Sequence, residues 1–123
     1  MQLTKNFKLS EFHSKDGTNV PTTMFDSVSE LARNLQVIRD TVNKPIKINS
    51  GYRSPEHNKT VGGKPNSYHL KAMAADIVVD GLRPSKLASI IKGLMDKGLI
   101  KKGGLKAYST FCHVDIRGYY ATW

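Results

Sequence analysis

The run Met73 to Val79, "MAADIVV", is apolar except for a single aspartate. No other feature constrains the fold as much. A short, almost wholly apolar run of this kind reads as a buried strand. An ionised carboxylate inside such a strand is tolerated only when it is paired or bound to a metal. Asp76 therefore demands a partner. On its own terms that partner is either a buried arginine or lysine, or a metal ion with further ligands.

The chain has four histidines, His13, His57, His69 and His113, and one cysteine, Cys112. One cysteine excludes an internal disulfide and a Cys-x-x-Cys zinc site, so a metal would be held by histidine and carboxylate. Near the C-terminus "FCHVDIR" reads as a strand, and side chains alternate faces along a strand. Cys112, Val114 and Ile116 then face the core, while His113, Asp115 and Arg117 share the other side. If this strand neighbours that of Asp76, His69, Asp76 and His113 can supply the three protein ligands of a catalytic zinc, with one position left for water. Taken singly, each has a plainer reading. His69 reads as a packing histidine, and His113 with Asp115 as a surface pair on an exposed sheet face.

The remaining segments supply the frame. Ser27-Val28-Ser29-Glu30 has the form of a capping box, followed at helical spacing by Val28, Leu31, Ala32, Leu35, Ile38 and Val42. Asn43 and Pro45 close that helix. "PIKINSGY" alternates as a strand with Ile46 and Ile48 inward. Ser54-Pro55-Glu56 opens a short helix that Gly62 and Gly63 end, and Leu87, Ile90, Ile91, Leu94 and Met95 mark a helix between Pro84 and Gly98. "LKAYST" and "FCHVDIR" are close enough to form a hairpin. The expectation is an α+β fold, a small antiparallel sheet with helices packed on it, forming one domain over residues 1–123.

The formal net charge is +9, which favours polyanionic partners. The lysines are dispersed, so a solvated surface is the plainer account of them. No helix face clusters lysine and arginine and no base-reading motif occurs, which argues against a nucleic-acid-binding domain. No run is long and apolar enough to span a membrane. "MQLTKNFKLSEF" has no apolar h-region, so synthesis in the cytoplasm without a secretory signal is expected.

Four segments, in this order, resemble peptidase family M15, the zinc D-Ala-D-Ala carboxypeptidases and peptidoglycan endopeptidases that share a metal site with the hedgehog signalling domain. They are "FKLSEFHSKDG" with the following "VP", "INSGYRSPEHNKTVGG", "SYHLKAMAADI" and "FCHVDIRG". The third matches the pattern Ser-x-His-x-x-Gly-x-Ala-x-Asp at Ser67, His69, Ala74 and Asp76, and the fourth the C-terminal His-x-Asp strand. The resemblance implies one zinc ion held by His69, Asp76 and His113, with Arg53 in the family's substrate-binding arginine position. Ser67 and Tyr52 are expected on the substrate side, Ser67 as an organiser of its loop. It further implies a monomer that cuts peptidoglycan stem peptides at the bacterial cell wall, after release, as a phage or prophage endolysin does. Two departures stand out. Ala72 occupies the family's usual glycine position, and Thr110 falls where several branches place an acidic general base. Asp115 is the nearest acidic candidate for that role, either as the base or as a support for a ligand. The rival expectation is a non-catalytic zinc-binding module of the same fold.

Overall fold

The computed structural model describes residues 1–123. The first helix, α1, runs Phe25–Val42 and buries Val28, Leu31, Ala32, Leu35 and Ile38, the stripe expected from the spacing. Its start corrects the capping-box reading. The chain enters through a 3-10 turn at Thr22–Met24, whose Thr22 carbonyl accepts from the Phe25 N–H, so the helix begins two residues before Ser27 and needs no side-chain cap. Asn43, at φ 54°, ends it in the left-handed conformation that asparagine tolerates.

Four strands follow, β1 at Lys47–Ser50, β2 at Ala74–Val78, β3 at Leu105–Ala107 and β4 at Cys112–Asp115. They form one antiparallel sheet in the order β1-β2-β4-β3. The short helix α2 (Pro55–Thr60) follows β1, and α3 (Pro84–Asp96) follows β2. Ile77 pairs with both Ile48 and Cys112, and Val114 with both Ala75 and Leu105, so one face of the sheet is continuous apolar surface. It merges with the buried faces of α1 and of α3 (Leu87, Ile91, Leu94 and Met95) into one core. This is the α+β arrangement expected.

The opposite face is set by the same registers. Asp76 lies directly across from His113, and Ala74 from Asp115. The β1–β2 register shifts between Ile48 and Ser50, leaving Asn49 as an extra residue, so Ser50 falls opposite Asp76. A bulge of this kind changes the phase of the strand beyond it and re-aims its side chains. No helix is long and apolar enough to cross a membrane.

Candidate metal centre

His69 is presented by a 3-10 turn, Tyr68–Lys71, capped by the Ser67 hydroxyl, which accepts from the His69 N–H. Ala72 follows at φ 56°, reversing the chain so that the Met73 N–H reaches the Tyr68 carbonyl and β2 can begin. The family's usual glycine at this place has a plain reason, since a left-handed residue costs glycine nothing and alanine about 1–2 kcal/mol. Ser67 thus caps the turn that carries the histidine.

His69, Asp76 and His113 meet, with one ligand atom from each lying within 4.8 Å of the others. All three are buried, at 2%, 7% and 8% exposure. His69 Nε2 is 3.2 Å and His113 Nδ1 is 3.1 Å from the same oxygen, Asp76 Oδ1. The other nitrogen of each ring decides what those contacts mean. His69 Nδ1 lies 2.7 Å from the Gly51 carbonyl, and His113 Nε2 2.9 Å from Asp115 Oδ2. A carbonyl and an ionised carboxylate only accept, so each outer nitrogen carries the hydrogen. In the neutral rings the two inner nitrogens then present lone pairs to a carboxylate oxygen that also has only lone pairs. Cationic charge between them resolves the conflict, whether an extra proton on each ring or a single metal ion. Two imidazoles with their tautomers fixed from behind, plus one carboxylate, fit a zinc donor set.

Burial opposes the charge on Asp76, but the two histidines facing it outweigh burial once they carry a proton on the inner nitrogen, and hold the carboxyl well below the usual carboxylate range. Asp76 Oδ2 faces Arg53 Nη2 at 3.3 Å. Of the two partners that the sequence left open, the arginine is therefore present on one oxygen, and the histidine pair that could hold a metal faces the other. Arg53 is itself fixed, its Nε donating to Ser50 Oγ at 3.1 Å and its Nη1 to Asn58 Oδ1 at 3.3 Å.

Of the two roles expected of Asp115, general base or support for a ligand, its surroundings suit the second. It is fully buried, and Oδ1 accepts from the Gly104 and Arg117 backbone N–H groups, while the Arg117 guanidinium spans both oxygens. Burial works against its charge, but His113, Arg117 and Gly104 together keep it ionised far below its ordinary value. It also sits on the far side of the His113 ring from Asp76, because the two ring nitrogens point in divergent directions. Its place is behind the ligand, holding it. Gly103 and Gly104 make that approach possible. A Cβ on Gly104 would stand 2.3 Å from Asp115 Oδ2, and one on Gly103 1.7 Å from the Asp115 carbonyl.

The family matches at this point. The model of the family described as Peptidase M15 matches residues 5–115. The chain belongs to peptidase family M15. No curated protein matches it. M15 peptidases are typically zinc-dependent, and the His69–Asp76–His113 cluster of this one could bind a metal.

Tyr52 corrects the expectation for this M15 chain. The residue is 5% exposed and part of the core, which leaves little of its surface for a substrate. Thr110 is exposed in the β3–β4 turn. Several groups that hold the centre escaped the sequence reading: the Gly51 carbonyl, Ser50, Asn58 and the glycine pair at 103–104. None has a one-dimensional signature, because each acts through backbone or a register shift. Trp123 was also missed. Its ring lies edge-on to His113 with centroids 5.1 Å apart. As the chain's one tryptophan, it was the only one of these that composition could have flagged.

Proposed function

We propose that this chain is a zinc-dependent peptidase that hydrolyses peptide bonds in bacterial peptidoglycan stem peptides, as a DD-carboxypeptidase or endopeptidase in a cell-wall lytic role. The observation that carries this reading is the convergence of two tautomer-fixed imidazoles on one carboxylate oxygen in a chain of family M15. His69 through Nε2, His113 through Nδ1 and Asp76 through Oδ1 would hold one zinc ion. What such an ion supplies when bound is Lewis acidity toward a carbonyl oxygen and a water.

The chain's own residues do the rest. Arg53 is braced by Ser50, Asn58 and Asp76, and its side chain stays 16% exposed, which leaves Nη hydrogens for a substrate carboxylate or carbonyl oxygen. Because Arg53 also bonds Asp76, its position and that of the ligand are coupled. Asp115 keeps the His113 hydrogen on Nε2 and so keeps Nδ1 free. The net charge of +9 favours adhesion to an anionic wall, in keeping with a phage or prophage lysis protein.

The test is digestion of purified peptidoglycan followed by mass spectrometry of the released fragments. Cleavage that a chelator abolishes, that zinc restores and that His69→Ala lacks supports the reading, and the mass lost names the bond. An intact wall after incubation with zinc-loaded protein overturns it.

A second reading has one observation in its favour. With Asp115 saturated by hydrogen bonds and Thr110 at the family's acidic position, the same ligands would also serve a non-catalytic zinc-binding module. Such a module would retain one zinc ion per chain and release no peptide.

A further inference from the structure

Trp123 and Tyr108 are 45% and 39% exposed, yet both are held in place. The indole Nε1–H donates to the Tyr108 hydroxyl at 2.9 Å, and Tyr108 stacks on Phe111 with centroids 4.6 Å apart and planes 16° from parallel. Lys106, directly across the β3–β4 ladder from His113, donates its ammonium to the Trp123 carbonyl and lies 6.0 Å from the Tyr108 centroid. The Arg117 guanidinium rests 5.3 Å from the indole centroid. Exposed aromatic rings ordinarily keep rotamer freedom. Here two are ordered by hydrogen bonds and stacking, beside a metal ligand, and leave much of their surface to solvent. That preorganisation is what a binding wall requires.

We infer that Trp123 and Tyr108 form a stacking subsite beside the metal centre for a pyranose ring of the glycan strand that carries the stem peptide. The inference rests on the reading under Proposed function and extends it from the peptide to the sugar. A pyranose presents a face of weakly positive C–H groups, which suits the negative face of an aromatic ring, and an edge of hydroxyl and amide groups. The tyrosine hydroxyl and the Lys106 ammonium border the wall with the polar partners that edge needs. The wall is continuous with the site through the His113–Trp123 contact, so a sugar there would lie next to a peptide at His69, Asp76 and His113.

Trp123 is the only tryptophan, so the indole fluorescence comes from this wall and the side chains it touches. The binding probe is a β-1,4-linked N-acetylglucosamine tetrasaccharide, titrated against the full chain carrying His69→Ala so that no turnover intervenes. A saturable change in intensity or emission maximum, with none from a glycan-free stem pentapeptide, is the expected result. No change with the tetrasaccharide, or an equal change with the free peptide, overturns the subsite whether or not the protein proves to be a peptidase. In the active protein, the ratio of kcat/KM for a disaccharide-linked peptide to that for the free peptide should fall about tenfold in Tyr108→Ala. Tyr108→Phe, which keeps the ring, should restore most of that ratio. A ratio unmoved by Tyr108→Ala also overturns the proposal. Loss of hydrolysis on both substrates alongside an intact tetrasaccharide response would overturn the peptidase reading and leave the sugar site standing.

Discussion

Cys112 and His113 are neighbours in β4 and both are buried, yet their surroundings are of opposite kind. Cys112 faces the apolar side of the sheet with Ile77, Val114 and Leu105 on the same surface. His113 faces a side on which two charged pairs, Arg53 with Asp76 and Arg117 with Asp115, flank the two nitrogens of its ring. The first face is held by contact area, which is non-directional and tolerates a lost methyl at modest cost. The second is held by charge pairs and directed hydrogen bonds around a cluster that needs a cation, and removing one member leaves its partners buried and unpaired. The same strand thus carries a stability face and a function face. Substitutions on the two should separate cleanly.

The largest separation is expected at Asp76. Asp76→Asn keeps the volume but loses the charge that balances Arg53 and would balance the proposed ion, so zinc measured by atomic spectroscopy after gel filtration should fall from one per chain to near none. A fully loaded Asp76→Asn protein would mean that the ion is held elsewhere. Next comes Asp115→Asn, which keeps an acceptor for the His113 Nε2–H but weakens it. Zinc affinity should drop by about 10- to 100-fold, the usual cost of losing such a support. Activity at saturating zinc should largely return. Failure to return would put Asp115 in the chemistry after all.

On the apolar face, Ile77→Val should cost about 1 kcal/mol in urea denaturation and move zinc affinity by less than roughly twofold, since sites without shared partners act independently. Cys112 sharpens the contrast through pH. Burial pushes its thiol up to about 12, with the charge on Asp76 adding to the effect. The thiol should resist iodoacetamide at pH 8 in the folded protein and react once urea unfolds it. For a group whose folded pKa is raised, the stabilisation is complete below the unfolded value, about 8.5, and is lost as pH rises toward about 12. Cys112→Ala should therefore flatten the alkaline loss of stability. An equally steep loss would assign it to other groups.

The same division explains what could be read from sequence. The apolar face was legible because burial writes itself as periodicity: the stripe of α1, the stripe of α3, and the alternation of Cys112, Val114 and Ile116. The three candidate ligands were legible because a lone aspartate in an apolar strand demands a partner and few residue types were available. What supports them was not. The bulge at Asn49 that turns Ser50 toward Arg53, the Gly51 carbonyl behind His69 and the glycine pair that admits Asp115 act through backbone geometry. Asp115 was read as either a base or a support for a ligand because strand alternation places it on the face of His113. Alternation says nothing about which side of the His113 ring it occupies. Tyr52 was expected on the substrate side from the family resemblance, but its side chain packs into the core.

Ala72 joins the two faces, being fully buried in the core while ending the turn that presents His69. Its substitution is the smallest effect and the most exacting test. Ala72→Gly relieves a left-handed alanine, a gain of about 1–2 kcal/mol. It also loses a buried methyl worth about 0.8 kcal/mol and frees the unfolded chain at a cost of about 0.4–1 kcal/mol. The terms nearly cancel, so the urea midpoint should shift by less than the equivalent of about 0.5 kcal/mol. Zinc affinity should hold as well if Ser67 and the Gly51 carbonyl are what fix His69. If stability holds and zinc affinity rises instead, the strain at residue 72 is being transmitted to the ligand. The function face would then be tuned from inside the core, and the separation of the two faces would fail at that one residue.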